Sequence, residues 1–455
     1  MKLKLFKLIR KGDLMKNNEK LGFQIPEIIL PVDTIDFQKW AVIACDQFTS
    51  QPDYWKDVEN MVGSSPSTLK MILPEVYLDT DDEINRIELT KKTMDQYLEK
   101  DIFQTFEGLV LVERHVGGKT RFGLMLALDL EKYDFSKGSQ TLIRATEGTI
   151  IERLPPRIRI REGAKLEFPH ILVLIDDPER TVIEPLVEKR QQFEKMYDFE
   201  LMKNSGHLIG YGINQEDFLV TFENALANLA NPDRFKKYYN VGNDFGVLLF
   251  AMGDGNHSLA TAKSIWESVK SKVGMDHPSR FALVEIENIH DSGLDFEPIH
   301  RVLFNLNDNV LDKMRAFWKS EFDIKEYKHH HDMIEAVDTQ SGDTHKFGFI
   351  FGSSFFVVDI KNPSTNLPVG TLQTFLDEFI RKGGAEKIDY VHGSEVTCQL
   401  GTKPGNCSFY LPAMEKNQLF KTVILDGALP RKTFSMGEAF EKRFYMEGRR
   451  ITRNE

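Results

Sequence analysis

The chain has 455 residues, too many for one simple core, so two to three folding units are expected on length alone. Hydrophobic residues at 41% and charged residues at 28% exclude a disordered, collagen-like or disulfide-scaffold protein. Asp and Glu outnumber Lys and Arg by 69 to 58, and a net charge of −11 repels phosphate backbones, so no nucleic-acid partner is expected. Residues 1–20 form a basic leader, in which Lys2, Lys4, Lys7, Arg10, Lys11, Lys16 and Lys20 face only Asp13 and Glu19. Two readings stand for it: a short amphipathic surface-binding helix, or an incidental extension with Met15 as the true start. Residues 40–45 are predicted as a buried strand. Residues 82–100 are predicted as a helix with Ile84, Ile87, Met94 and Leu98 on its buried face. Residues 108–114 and 121–130 read as a hairpin about Gly117-Gly118.

Further along, 171–175 is a strand, 184–199 a helix and 206–213 extended. A helix over 217–229 is expected to stop at Pro232. Residues 245–252 are a strongly apolar strand, and 281–288 another. A helix over 310–320 precedes two short strands within 346–360, split by Gly352. Residues 371–382 are helical, with Gly383-Gly384 as the stop signal. Residues 408–412 and 422–425 read as strands. This mixture predicts an α+β or mixed α/β fold. The expected division is the leader, an N-terminal β-rich region over 21–160, a central region over 161–305 and a C-terminal α+β region over 306–455. The last two could form one unit. Cys45, Cys398 and Cys407 have neither metal-ligand spacing nor a paired framework, which suits a reducing cytoplasm. No apolar run approaches the roughly 20 residues of a membrane span. Oligomeric state is not legible.

Most of the chemistry is concentrated in residues 250–263, where an apolar strand runs into Gly253-Asp254-Gly255-Asn256-His257-Ser258 and then a helix. Glycines allow close backbone approach, and a helix start offers unpaired amides and partial positive charge to an anion. His257 and Ser258 are expected to aim at the same anion. Asp254 is a candidate to hold magnesium or to polarise a hydroxyl. An ordinary tight turn capped by Asn256 is the other reading of the same residues. The tract His329-His330-His331 sits among polar residues and is read as surface.

The turn resembles the Asp-Gly-His-His-Arg turn of the DUF1015 family. Four further blocks agree in order. Residues 288–301, with Asp291, Gly293, Pro298, His300 and Arg301, resemble that family's Asp-x-Gly-Leu and Leu-Pro-x-His-Arg stretch. Residues 123–134, followed by Arg144, Glu147 and Thr149, resemble its Gly, Leu-Asp-Leu, Tyr-Asp and His-Glu-x-Thr region. Residues 389–393, with His392, and 430–433, with Lys432, match blocks near its C-terminal end. Three positions depart: Asn256 stands for the first His, Ser258 for the Arg, and Thr146 for the His before Glu147.

The same turn is similar to that of free serine kinases of the ParB/sulfiredoxin-like group. The resemblance implies a nucleotide-binding core of that type and phosphoryl transfer from ATP or ADP, with Mg²⁺, to a free hydroxy amino acid, L-serine first. Asp254, His257 and Glu147 lie in its matched blocks and join the catalytic set, to which Asp46 is added because a carboxylate at a strand's end points into clefts where ligands gather. Glu147 is the first choice of base and Asp46, at the end of the 40–45 strand, its rival. Gly253, Gly255, Asn256, Ser258, Arg144, Arg153 and Lys432 would bind phosphate. His300, Arg301 and His392 would bind substrate, with Arg301 also a possible clamp. The alternative is a non-catalytic, ParB-like nucleotide-binding module. A DNA-loading clamp is disfavoured, because residues 258–340 carry ten Lys and Arg against fifteen Asp and Glu.

Overall fold

A computed structural model describes residues 17–151, 154–339 and 344–453. The fold is mixed α+β, and the chain divides into two compact units. One runs to Leu294 and resumes at Gly437; the other is Asp295–Met436. The expected 21–160 region and nearly all of the 161–305 region therefore fall within the first unit. Among the described residues, no helix is long and apolar enough to cross a membrane.

The first unit is built on one large sheet. Its strands are β1 (Asn17–Asn18), β2 (Phe23–Gln24), β3 (Leu109–Val116), β4 (Lys119–Asp129), β5 (Tyr133–Asp134) and β6 (Ile143–Arg144). They are followed by β7 (Leu172–Ile175), β8 (Glu194–Glu200), β9 (His207–Ile213), β10 (Phe250–Asp254) and β11 (Phe281–Asn288). The spatial order is β8-β9-β3-β4-β11-β7-β10-β6-β5, with β2 against β4. Gly117 and Gly118, at φ +59° and +75°, close the β3–β4 hairpin in a conformation that side chains resist. Strand β3 sends Leu109 and Leu111 into one core and Val110 and Val112 into the other, so the sheet is covered on both faces. Helix α1 (Leu154–Arg161) packs on helix α2 (Asn256–Val273), which buries Leu259, Ala262 and Trp266 against the sheet.

Strand β11 carries two buried acids. Glu285 pairs with Arg443, which also grips Glu447, and Glu287 pairs with Arg121 at 3.2 Å. Burial pushes the Glu287 carboxyl up to about 8, against the pull of Arg121 and with the help of neighbouring Glu285 and Asp291. Gly123 lies opposite Glu287 in the β4–β11 register, and any Cβ there would collide with the Glu285 carboxylate.

The second unit holds β12 (Phe296–Leu306), β13 (Phe322–Tyr327), β14 (His345–Phe351), β15 (Ser354–Ile360), β16 (Ala385–His392), β17 (Cys407–Tyr410) and β18 (Phe434–Met436). Their order is β13-β15-β14-β17-β12-β16, and β18 pairs with β12.

Several sequence expectations are corrected. Only Glu184–Glu188 of the 184–199 stretch is α-helical, and Glu194–Glu200 is a strand. Its pairing with β9, through a turn that holds Lys203 and Asn204 at positive φ, outweighs local helical propensity. The helix Glu83–Leu98 buries Ile87, Thr90, Met94 and Tyr97, while Ile84 is exposed, so the buried stripe is rotated from the expected one. Residues 422–425 lie in the helix Lys416–Asp426, opened by a capping box between Glu415 and Gln418. Pro232 begins the helix Pro232–Tyr239 behind an Asn231 cap. Within 40–45 only Val42–Ile43 is a strand, and Trp40 ends a short helix.

Candidate functional site

Strand β10 delivers Asp254 to the start of α2 through Gly255. That glycine sits at φ +79°, and a Cβ on it would lie 3.1 Å from Ile171 Cα. No helical carbonyl lies one turn back to receive the amides that open α2. The loop after β6 is tied to this turn. Thr146 Oγ1 donates to the Met252 carbonyl at 2.7 Å, the Thr146 amide donates to Asn256 Oδ1 at 3.3 Å, and the Ile150 amide donates to His257 Nε2 at 3.3 Å. Glu147, half-buried, is thereby held beside the turn. His257 turns its ring towards Ile150, whereas Ser258 faces a cavity, so the two side chains expected to share one anion diverge.

Asp254 accepts the Gly255 amide at 2.8 Å on Oδ1, and its Oδ2 faces Lys442 Nζ at 3.2 Å. Burial alone would raise this carboxyl. Lys442, His170 and the Gly255 amide outweigh burial and hold it below the usual carboxylate range. Among the described residues no group of three or more His, Cys, Asp or Glu side chains is placed to hold a metal ion. With a lysine ammonium already against Asp254, these residues do not form a cage for a resident magnesium.

The cavity beside Ser258 measures about 140 Å³ and lies wholly within the first unit. Its polar wall holds His170, Ser258, Thr261, Tyr445, Glu75 and Arg157. His170 Nε2 is 3.1 Å from Ser258 Oγ and 3.8 Å from Asp46 Oδ2, and its Nδ1 is 2.8 Å from Tyr445 Oη. The Cys45 amide donates to Tyr445 Oη at 2.9 Å. The ring can therefore relay a proton between the phenol and the serine. Burial and then Asp46 push the Cys45 thiol far up, which makes it a poor nucleophile. Burial also raises Glu75, with Arg157 opposing as its ion-pair partner.

Two features set this geometry. Phe444–Tyr445 pairs with Val42–Ile43, which carries Tyr445 to Cys45 and Asp46. Arg443 Nε donates to the Pro169 carbonyl at 3.1 Å and so fixes the residue next to His170.

The remaining expected residues are placed elsewhere. Arg144 is buried, its guanidinium donating to the Thr141 and Gly246 carbonyls, and burial lowers it to about 10. These contacts brace a loop. Arg153 lies outside the described residues, as does most of the basic leader. His300, Arg301, His392 and Lys432 belong to the second unit. There His300 accepts the Leu411 amide at 3.1 Å and stacks on Tyr410, and burial lowers its pKa to about 3. Arg301 is buried, with bonds to Gln373 and to the Arg431 carbonyl. His392 and Lys432 are exposed, as are His329 and His331 of the histidine tract.

Sequence reasoning missed His170, Lys442, Tyr445, Glu75 and Arg157. A signal existed only for His170, which follows a proline at the mouth of the strand expected over 171–175. Lys442 and Tyr445 arrive from nearly 200 residues beyond the turn, and no local pattern marks them.

A family model described as "Protein of unknown function (DUF1015)" matches residues 29–379. A search of curated proteins finds no match. Among solved structures the chain is similar to a free serine kinase in complex with AMP, at 11% identity and TM-score 0.36, covering 71% of this chain and 90% of that one. A mutant free serine kinase in complex with ADP gives 11% identity and TM-score 0.38, covering 71% and 91%. A conserved hypothetical protein from Pyrococcus furiosus gives 11% identity and TM-score 0.35, covering 72% and 95%.

Proposed function

This chain belongs to the DUF1015 family, and on that premise we propose that it is a cytoplasmic small-molecule phosphotransferase. It moves a phosphoryl group from ATP or ADP to the hydroxyl of a free amino acid, L-serine first. The observation that carries this reading is the start of α2, where Asp254 faces Lys442 at 3.2 Å and Ser258 faces His170, itself 3.8 Å from Asp46. The resemblance of the turn to that of free serine kinases supports the choice of chemistry.

Phosphoryl transfer asks little covalent work of a protein; it asks for positioning and for charge near the phosphates. The amides of Asn256 and Ser258 and the Lys442 ammonium supply that charge. Any divalent ion would be carried by the donor's own phosphates, since Lys442 already faces the Asp254 carboxylate. The acceptor hydroxyl loses its proton to a carboxylate as the new P–O bond forms and the bond to the donor's bridging oxygen breaks. Asp46 suits that role better than Glu147, because its carboxylate lies 3.8 Å from His170, which lines the cavity beside Ser258.

A second reading is a nucleotide-binding module without turnover. Asn256 and Ser258 favour it, since they stand where the related turn has His and Arg. A coupled assay separates the two: protein, Mg²⁺, ATP or ADP and a pool of hydroxy amino acids, read for a phosphorylated product. Product supports the transferase. Nucleotide binding without product supports the module.

A further inference from the structure

We propose that Ser258 is a nucleophile, activated by His170, that takes the acyl group of a small ester whose apolar body fills the adjoining cavity. The nucleophile lies 3.1 Å from its base, and the base lies 2.8 Å from the Tyr445 hydroxyl that orients it. In the working tautomer His170 Nδ1 donates to Tyr445 Oη and Nε2 accepts from Ser258. Asp46 Oδ2, 3.8 Å from Nε2, faces the positive charge that the ring then acquires. Ser258 also lies in the first turn of α2, whose amides stand next to the place where an oxyanion develops. His257 takes no part, because its ring is bonded to Ile150.

The cavity wall defines the ligand class. Met71, Leu73, Met94, Leu166, Phe168 and Ile171 give it an apolar wall. Its charged groups are paired with protein partners, Glu75 with Arg157 and Arg161 with Glu167, which leaves a neutral lining for an uncharged group. A volume of about 140 Å³ is close to that of an engineered apolar cavity, ~150 Å³, which takes benzene. A short acyl chain or a phenyl group fits; a triphosphate does not belong there.

The chemistry balances without a co-reactant other than water. Ser258 Oγ bonds to the acyl carbon as its proton passes to His170 Nε2. The ester C–O bond then breaks, and the alkoxide leaves with that proton. Water attacks the acyl carbon and gives its proton to the same nitrogen, and the bond between the acyl carbon and Ser258 Oγ breaks as the proton returns to Oγ. Free acid and intact serine result. No nucleotide takes part, so this activity stands or falls apart from the phosphotransferase reading.

The test uses the full chain with p-nitrophenyl butyrate and no nucleotide, together with a fluorophosphonate label mapped by peptide mass spectrometry. Nitrophenol release above the buffer rate is expected, with the adduct on the peptide that carries Ser258. Ser258→Ala should lose both, and His170→Gln should slow turnover ~100-fold. Labelling of the wild-type chain does not depend on how any variant folds. No adduct on the wild type, an adduct on another residue, or hydrolysis by Ser258→Ala at the wild-type rate would each overturn the proposal.

Discussion

Lys442 Nζ stands 3.2 Å from Asp254 Oδ2, so a lysine from the C-terminal segment neutralises the carboxylate that ends β10. Both side chains are largely buried, at 10% and 26% exposure, and each would be costly to leave alone.

Asp254→Asn keeps an oxygen for the Gly255 amide but removes the charge that Lys442 faces. Turnover in the coupled assay should fall at least ~10-fold. Stability by urea denaturation should drop by only about 1–3 kcal/mol. An unchanged rate would remove Asp254 from the chemistry.

Asp46→Asn should lower turnover ~100-fold while equilibrium nucleotide binding stays within about twofold. Glu147→Gln should cost much less. If the two variants rank the other way, the role of base returns to Glu147.

Glu287 makes stability pH-dependent in a definite direction. Its carboxyl is raised from 4.5 to about 8 in the folded chain, so the folded state holds a proton that the unfolded state has released. Folding is therefore favoured at the acid end of that window. This contribution is lost as pH climbs from about 4.5 to about 8, at no more than ~1.4 kcal/mol per pH unit. Urea midpoints measured across the window should fall as pH rises, and Glu287→Gln should flatten the slope. An unchanged slope in Glu287→Gln would assign the dependence to other groups.

Gly255→Ala places a methyl 3.1 Å from Ile171 Cα at a φ that alanine resists. A loss of about 1–3 kcal/mol in stability is expected. The same strain should shift the first turn of α2, weakening nucleotide binding measured by titration. Wild-type affinity in this variant would show that the turn tolerates the methyl without moving.

Hairpins and well-patterned helices were legible in the sequence because their signals are local. The Gly117-Gly118 turn, the strand Phe281–Asn288 and the helix opened by Asn256 all follow from residues within a few positions. The failures share one cause, a distant partner overruling local preference. Glu194–Glu200 reads as helical until His207–Ile213 offers it a ladder. At the site, sequence found the turn and the loop around Glu147, which three hydrogen bonds join. It also singled out Asp46. It could not find the groups that turn these residues into a chemical environment, since His170, Lys442 and Tyr445 converge only through tertiary structure. Arg144 and Arg301, both in matched blocks, donate to backbone carbonyls, contacts that no local pattern announces.

Within the second unit, Phe296 pairs with Met436, so the strands by which the chain enters and leaves that unit lie side by side. The first unit is thus interrupted by 142 residues of another and resumed at Gly437. During synthesis, a ribosome must extrude that whole insert before Lys442, Arg443 and Tyr445 become available. A nascent chain released near residue 436 would carry the turn and His170 but not their closing segment, leaving the acids of β11 without Arg443. Such a fragment should be an early target for quality-control proteases.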